Sequence, residues 1–328
     1  MEVLNAAIDD VASAVGVATP VFKILVSLLL GYPLAFVFDN VPRSQVAARH
    51  VLSGLFGAFI VYFNFGTEGL VHTLGPAVGT FVLLDVVGVR LKQWTAAVVL
   101  NFAWSLGYLL VGYAAVATDG YHIDWTLPYC VLCLRLIGLG FDYWDEAAAI
   151  ESAAAAASAP TATTTTSKAG ASGAAANAAR TAVATASPVE LFGYALCFPS
   201  VMVGPQFSLR RYRLMITKRP PTYRGRFAYA ASRLLLGAVY LGANAVLSQY
   251  YNGGMINSEY YRGLGIGGAT WMLWAVGKIA MSKYLGTWLV MEGAAALAGL
   301  GYRWDVDAKA RAAAGADDKQ KAQAAIDA

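Results

Sequence analysis

A succession of apolar stretches, each near the length that crosses a lipid bilayer, constrains this chain more than any other feature. About 20 mainly apolar residues form a helix long enough to span the hydrocarbon core. The chain is also 58% hydrophobic and only 13% charged, which is too apolar for an ordinary soluble protein. We therefore predict an all-α, polytopic integral membrane protein with seven or eight hydrophobic segments. These segments are residues 19–38, 51–65, 69–89, 94–117, 126–141, 189–203, 227–251 and 268–301.

Changes in composition divide the chain into five parts. Residues 1–18 form an N-terminal segment without lysine or arginine, unlike the basic start of a cleaved signal peptide. Two groups of membrane helices, 19–146 and 189–302, flank residues 147–188, which are almost entirely Ala, Thr, Ser and Gly. That tract has little with which to build a core, so we expect a disordered, low-complexity loop. Residues 303–328 are a charged, alanine-rich tail that we expect to be solvated.

The stretch from Val201 to Arg213 changes from apolar to arginine-rich within a few residues. Basic loops are expected on the cytosolic side of a membrane, which places Arg43 and Arg90 there. A full crossing by residues 189–203 would then carry a basic loop to the lumen. This segment is also short and interrupted by proline and glycine, so we predict a re-entrant segment near residues 189–205. The basic residues that it returns to the cytosol are Arg210, Arg211, Arg213, Lys218, Arg219, Arg224 and Arg226.

One charged residue lies inside the apolar segment 126–141 and another directly follows it. An ionisable side chain costs about 2.5 to 3.5 kcal/mol at the membrane centre. Arg135 and Asp142 are seven residues apart and therefore share one helix face. One interpretation is that both side chains reach the aqueous surface from a helix end. The other is that they pair beside a polar cavity that receives substrate.

The three histidines lie in different settings. His50 adjoins the basic loop before the second segment, His122 lies in a short turn expected on the lumenal side, and His72 has apolar neighbours without an acidic or cysteine partner at the spacing of metal ligands. His50, His72 and His122 are therefore predicted to be structural or surface residues, and we expect no catalytic residue and no metal site. The odd number of cysteines does not indicate a disulfide framework. We expect buried small side chains, rather than zinc or redox ligands, at Cys130, Cys133 and Cys197.

Several stretches, in order along the chain, resemble the membrane-bound O-acyltransferase family, and within it the lysophospholipid acyltransferase 5-like branch, the lysophosphatidylcholine acyltransferases. The resemblance covers most of residues 20–302, apart from the low-complexity insertion. The stretches that carry it are GYPLAFVF at Gly31–Phe38, YFNFG at Tyr62–Gly66, GYHIDWTLPYCVLCLRLIGLGFDYWD at Gly120–Asp145, VGPQFSLRRY at Val203–Tyr212, and WAVGKIAMSKYLGTWLVMEG through LAGLGY at Trp274–Tyr302.

The resemblance implies acyl transfer from acyl-CoA to the free hydroxyl of a lysophospholipid, inside a helical chamber of the endoplasmic reticulum membrane. Members use a histidine in a Trp-His-Gly motif and an asparagine in an asparagine-rich stretch, both beyond the point matched by LAGLGY. Neither motif occurs in this sequence. We therefore expect this chain to be a truncated form that is inactive alone. The alternative is a non-catalytic membrane protein, either a regulator of a full-length acyltransferase or an inert paralogue.

The expected partners are a lysophospholipid, acyl-CoA and the lipid bilayer, with no nucleic acid and no cofactor besides the acyl-CoA co-substrate. We expect supporting rather than catalytic roles for the residues near the chamber. Arg135 and Asp142 are expected as a polar pair beside it, and Gln206 and Ser208 at its cytosolic mouth. Guanidinium groups pair well with phosphate. The candidates for binding phosphates of CoA or of lipid headgroups are Arg210, Arg211 and Arg213.

Overall fold

A computed structural model describes residues 2–117, 123–158, 186–218 and 223–301. In this part of the chain the secondary structure is helical, without a strand. A seven-residue π-helix, Leu84–Arg90, continues the third helix, and a 3₁₀ turn, Phe198–Ser200, follows the sixth. The α-helices are α1 Glu2–Val15, α2 Thr19–Asn40, α3 Val46–Leu83, α4 Trp94–Ala115, α5 Thr126–Ser158, α6 Pro188–Ala195, α7 Leu209–Thr217, α8 Tyr223–Leu247, α9 Gly253–Ile256, α10 Glu259–Arg262 and α11 Ile266–Ala298.

The predicted all-α, polytopic membrane fold is confirmed. Five of the described helical stretches are long and apolar enough to cross a membrane. They are Thr19–Asn40, Val46–Arg90, Trp94–Ala115, Thr126–Ser152 and Gly225–Leu247. The count of seven or eight hydrophobic segments stays a prediction, because two of those segments lie within one broken helix, and α6 and α11 are not among the five.

Helix α3 is broken at Gly66, whose φ of 63° and ψ of −154° lie outside the helical region. A Cβ atom at Gly69 would lie 3.2 Å from Cγ1 of Val61. In a straight helix, residues eight apart are separated by about 12 Å along the axis, so the chain bends sharply at this point. The two predicted segments 51–65 and 69–89 therefore correspond to the two halves of α3, joined through Gly66.

The predicted loop 147–188 begins later than expected, since α5 continues as helix to Ser158. Alanine has the highest helix propensity of any residue, and the run of alanines after Asp145 allows the helix to extend. Residues 159–185, the tail from 302 onward, and His122 lie outside the described residues. Their predicted properties stay predictions.

The buried core surrounds α6 and the 3₁₀ turn rather than the longest helices. Tyr194, Phe198, Met202 and Tyr212 are fully buried there. By contrast, α8 packs mainly against α11, where a Cβ atom at Gly237 would approach the Gly286 carbonyl oxygen to 2.9 Å. The broken part of the chain is therefore enclosed by the long helices.

Charged side chains gather at one end of the bundle, which we call the charged end and define by Asp39, Arg49, Asp142, Glu190, Arg213 and Arg226. Arg226 at the start of α8 forms an ion pair of 3.1 Å with Asp39 near the end of α2. Both groups are almost completely buried. The positive-inside rule predicts that the charged end is cytosolic.

Candidate functional site

The segment from residue 186 to 217 enters and leaves the bundle at the charged end. The Tyr143 hydroxyl accepts a hydrogen bond from the Ala186 amide, and the neighbouring Asp142 carboxylate accepts one of 2.8 Å from the Leu209 amide. Two consecutive residues of α5 therefore bind the first residue of the segment and the first residue of α7. An ion pair of 2.7 Å between Glu190 and Arg213 ties α6 to α7.

This geometry has the form of the predicted re-entrant segment. Helix α6 has eight residues and therefore rises only about 12 Å, less than half of a hydrocarbon core. The chain then continues through the 3₁₀ turn and a non-helical stretch around Gly204, whose φ is 95°. Crossing or re-entry of a bilayer by residues 189–205 stays a prediction, and the common end of the two helices favours re-entry.

Arg135 does not pair with Asp142. Its guanidinium, 2% exposed, donates to the backbone carbonyls of Tyr194 and Ala195 at 3.2 and 2.9 Å. It also donates to the carbonyl and the hydroxyl of Ser200 at 3.0 and 2.9 Å. Carbonyls at the end of a helix lack intrahelical partners and carry partial negative charge, so a buried cation is stabilised there. Arg135 is therefore a cap that holds α6 and the 3₁₀ turn.

Arg49 does the same at the charged end, a role that the sequence reasoning missed. This fully buried side chain donates to the carbonyls of Phe38 and Val41 at 2.9 and 2.8 Å, and to that of Met215 at 3.2 Å. It lies 4.0 Å from the centre of the Phe38 ring, a cation–π contact. Arg49 thus joins the ends of α2 and α7, and its position at the start of a long apolar run was the available signal.

His50 extends this connection through a hydrogen bond of 3.0 Å between Nδ1 and the Tyr212 hydroxyl. The Ser53 hydroxyl donates to the Gly193 carbonyl at 3.0 Å. A Cβ atom at Gly193 would lie 2.2 Å from the Tyr212 hydroxyl oxygen, so glycine is needed for this close packing. His50 is therefore a structural contact between α3 and α7.

His72 has an aromatic environment on another part of α3. Its Nδ1 shares a hydrogen bond of 2.8 Å with the Tyr108 hydroxyl. Its ring stacks on Trp125 with 3.8 Å between the ring centres. In the described part of the chain, no three His, Cys, Asp or Glu side chains are grouped for binding a metal ion.

A cavity of about 530 Å³ opens at the charged end between α5 and α7. The α5 side contributes the acidic residues Asp142, Asp145 and Glu146, and the α7 side contributes Arg210 and Arg213. The remaining lining residues are Tyr143, Ser208 and Leu209. Ser208, which was predicted at the cytosolic mouth of a chamber, lines this cavity, and we call it the mouth cavity.

The two arginines of the mouth cavity differ in their bonding. Glu190 accepts hydrogen bonds from Nε and Nη2 of Arg213 at 2.7 and 3.3 Å. Burial lowers the pKa of Arg213, but the hydrogen bond and the charge of Glu190 outweigh that effect and raise it. Arg213 is therefore a permanently charged structural contact. Arg210 is exposed, and no hydrogen bond or ion pair holds it to any of the described residues.

The other residues predicted near the mouth do not all lie at the cavity. Ser208 lines the cavity and caps α7, with its hydroxyl accepting from the Arg211 amide at 3.4 Å. The Gln206 side chain instead donates a hydrogen bond to the backbone carbonyl of Val131 and does not line the mouth cavity. Val131 lies about 16 Å from Asp142 along α5. Arg211 is exposed on α7 and also does not line the cavity.

An apolar groove of about 360 Å³ lies between α6 and the second half of α3. All of its lining side chains are hydrocarbon, which suits an acyl or lipid chain and excludes a polar ligand. They are Leu74, Ala77, Val78, Phe81, Val82, Pro188, Leu191, Phe192 and Ala195.

Comparison with known proteins assigns the family. The profile of "MBOAT, membrane-bound O-acyltransferase family" matches residues 110–314, which is more than half of the chain. This chain belongs to the membrane-bound O-acyltransferase family. The resemblance inferred from the motifs is confirmed.

Curated relatives of this membrane-bound O-acyltransferase family member align with nearly the whole chain. Lysophospholipid acyltransferase 5 of Bos taurus is 30% identical over 306 residues, covering 90% of this chain and 57% of the relative. The Homo sapiens protein of the same name is 29% identical over 300 residues. Lysophospholipid acyltransferase 2 of Arabidopsis thaliana is 22% identical over 315 residues. The chain thus spans little more than half the length of these lysophospholipid acyltransferase 5 relatives.

Proposed function

We propose that this chain binds the acyl-CoA and the lysophospholipid of an O-acyl transfer in phospholipid remodelling, and does not complete the transfer by itself. Membership of the family and the names of the relatives support the substrate classes. The charged mouth cavity and the apolar groove support binding of amphiphilic molecules with a charged head and a hydrocarbon chain. The proposed location is the endoplasmic reticulum membrane.

The proposal that the chain does not complete the transfer by itself rests on the surroundings of its histidines. Acyl transfer to a hydroxyl needs a base that accepts its proton. No histidine of this sequence follows a tryptophan, so the family's Trp-His-Gly motif is absent. Of the three histidines, the two in described positions, His50 and His72, each share Nδ1 with a tyrosine hydroxyl and line neither the mouth cavity nor the groove.

Expression of the full chain in membranes that lack endogenous acyltransferases tests the proposal. We expect purified protein to bind acyl-CoA and lysophosphatidylcholine, while membranes containing it show no acyl transfer above the empty-vector control. Turnover that survives substitution of His50, His72 and His122 would contradict the account of the missing base. A folded chain that binds neither molecule would overturn the proposal and favour the non-catalytic alternative.

A further inference from the structure

The non-helical residues 205–208, between the 3₁₀ turn and α7, leave main-chain groups without partners. Five amide and carbonyl groups of this stretch form no hydrogen bond with any residue that the structure describes. They are the amides of Gln206, Phe207 and Ser208 and the carbonyls of Pro205 and Gln206. The bundle does pair the Phe207 carbonyl with the Tyr194 hydroxyl, at 3.1 Å. Its side chains therefore satisfy only part of the stretch.

This stretch lies within the depth of the membrane. The Gln206 side chain donates to the Val131 carbonyl, which is about 16 Å along α5 from Asp142 at the charged end. A hydrocarbon core is about 30 Å thick, so this side chain reaches about half of that depth. Pro205 and Gln206 are nonetheless exposed. The stretch therefore belongs to an open face of the described bundle.

Hydrocarbon is a poor solvent for such a face. An amide or carbonyl without a hydrogen bond is strongly disfavoured in lipid, so irregular backbone at this depth is found only inside protein or against water. Leu134 on α5 shows the contrast, since it lies about 12 Å from Asp142 along the helix and is 59% exposed. Its main chain is part of a continuous helix, so lipid can cover it. Two exposed faces at similar depth therefore require different surroundings.

Ser208 connects the stretch to the charged end, because it also lines the mouth cavity. Charged side chains wall that cavity, and charged groups favour hydration. Gln206 is two residues further along the chain, a distance of at most about 7 Å. Water at the mouth thus has a path along the main chain to the unpaired groups.

We infer that residues 205–208 line a water-filled passage that runs from the mouth cavity toward the middle of the membrane. Its unpaired amides and carbonyls bind water, or small polar solutes that both donate and accept hydrogen bonds. The inference goes beyond the proposed function and does not depend on it, because it follows from hydrogen bonding and depth alone.

Hydrogen–deuterium exchange of the unaltered full chain in lipid nanodiscs tests this passage. Unbonded amides that face water exchange fastest, whereas amides inside a stable helix are protected. We expect the amides of Gln206, Phe207 and Ser208 to exchange at the earliest time point, and those of α5 around Val131 to stay protected. Protection of the residue 206–208 amides equal to that of α5 would show that lipid or protein covers them, and would overturn the inference.

Single cysteines provide a second test, with a charged thiol reagent that cannot enter hydrocarbon added to either side of sealed vesicles. The test variant is Gln206→Cys, Arg210→Cys at the mouth cavity is the positive control, and Leu134→Cys is the control of similar depth on a helix face. The unaltered chain gives the background of the native cysteines. Because the thiolate is the reactive form and needs water, Gln206→Cys should react at least about tenfold faster than Leu134→Cys.

Two labelling results would contradict the passage. One is a folded Gln206→Cys variant that reacts as slowly as Leu134→Cys. The other is labelling of Gln206→Cys from the side of the membrane opposite to that which labels Arg210→Cys, because the passage begins at the mouth cavity. Pro205→Cys repeats the comparison without removing the hydrogen bond between Gln206 and Val131, so a folding defect of one variant does not leave the question open.

Discussion

The α6–α7 region and the α8–α11 helix pair are held in different ways. Helices α6 and α7 are short and are fixed by side chains that reach backbone groups from distant parts of the chain, as Arg135 and Arg49 do. Helices α8 and α11 are long and meet mainly through close contact of glycines and apolar side chains. Two hydrogen bonds add to this contact, from Asn244 to the Ile279 carbonyl at 2.7 Å and from Tyr229 to Glu292. Only 11% of the α8 spanning stretch is buried, against 56% in α5. A long helix satisfies its backbone groups with its own hydrogen bonds. Where that hydrogen bonding is interrupted, as in the α6–α7 region, side chains from other helices supply the missing hydrogen bonds.

The sharpest test of this difference is loss of the Arg135 cap. Arg135→Met keeps much of the side-chain volume but leaves the carbonyls of Tyr194, Ala195 and Ser200 without these donors. The carbonyls of Tyr194 and Ser200 still accept hydrogen bonds from backbone amides, whereas that of Ala195 loses its donor. Because a hydrogen bond from a charged donor contributes about 1.5 to 3 kcal/mol, we expect a loss of roughly 3 to 5 kcal/mol of folding free energy. Thermal unfolding in detergent, followed by size-exclusion chromatography, measures it. Arg135→Lys should recover part of the loss, and equal stability of wild type and Arg135→Met would show that the cap is dispensable.

A second test uses the close approach of α3 to the end of α6. A Cβ atom at Gly57 would lie 1.7 Å from the carbonyl oxygen of Leu196, a backbone atom that cannot move independently. Gly57→Ala should therefore destabilise the fold by about 1 to 3 kcal/mol, despite the better helix propensity of alanine. The same detergent unfolding assay applies, with Gly107→Ala on α4 as the control because its Cβ would meet nothing within 4 Å. Equal changes in unfolding free energy for the two substitutions would show that the Gly57 face of α3 is no more tightly packed than the Gly107 face of α4.

The third test concerns the return of the segment at Asp142. Asp142→Leu removes the acceptor of the Leu209 amide and should cost about 1 to 2 kcal/mol, whereas Asp142→Asn retains an oxygen that can accept this bond. Hydrogen exchange of α7 provides the measurement. We expect faster exchange at the start of α7 in Asp142→Leu than in Asp142→Asn. The same protection in both variants would mean that other contacts, such as the one between His50 and Tyr212, suffice.

The smallest expected effect lies in the helix pair. A Cβ atom at Gly242 on α8 would meet nothing within 4 Å. Gly242→Ala should therefore be neutral or stabilise by up to about 1 kcal/mol, because alanine is the better helix former. The expected sign is opposite to that for Gly57→Ala in the same unfolding assay. Marked destabilisation by Gly242→Ala would mean that this face of α8 is packed in the folded protein.

Sequence patterns predicted the parts of the fold that depend on local composition. Apolar runs located the long helices, and the break at Gly204 with the arginines after it located the segment that returns to the charged end. Helical periodicity placed Arg135 and Asp142 on one face, but it could not identify their partners. The carbonyls that Arg135 binds belong to residues 59 to 65 positions later in the chain, and any backbone carbonyl is an equally good acceptor in the sequence.

The candidate site was predictable to the level of residue type. Ser208, Arg210 and Arg213 do lie at one cavity with Asp142, as their clustering near a membrane boundary suggested. The difference between Arg210 and Arg213 was not predictable, because it depends on Glu190, which lies 23 residues away on another helix. The role of Arg49 was missed for the same reason, since basic residues at a helix start are usually solvated.

The attachment of the segment to Tyr143 and Asp142 has a mechanical consequence. Since consecutive residues of one helix hold both the amide of Ala186 and that of Leu209, any tilt or rotation of α5 is transmitted to the two attachment points together. Helix α3 holds the same segment through Arg49, His50 and Ser53, so the segment is fixed between two long helices. A displacement of α5 relative to α3 would therefore strain these hydrogen bonds and would be felt at both α6 and α7.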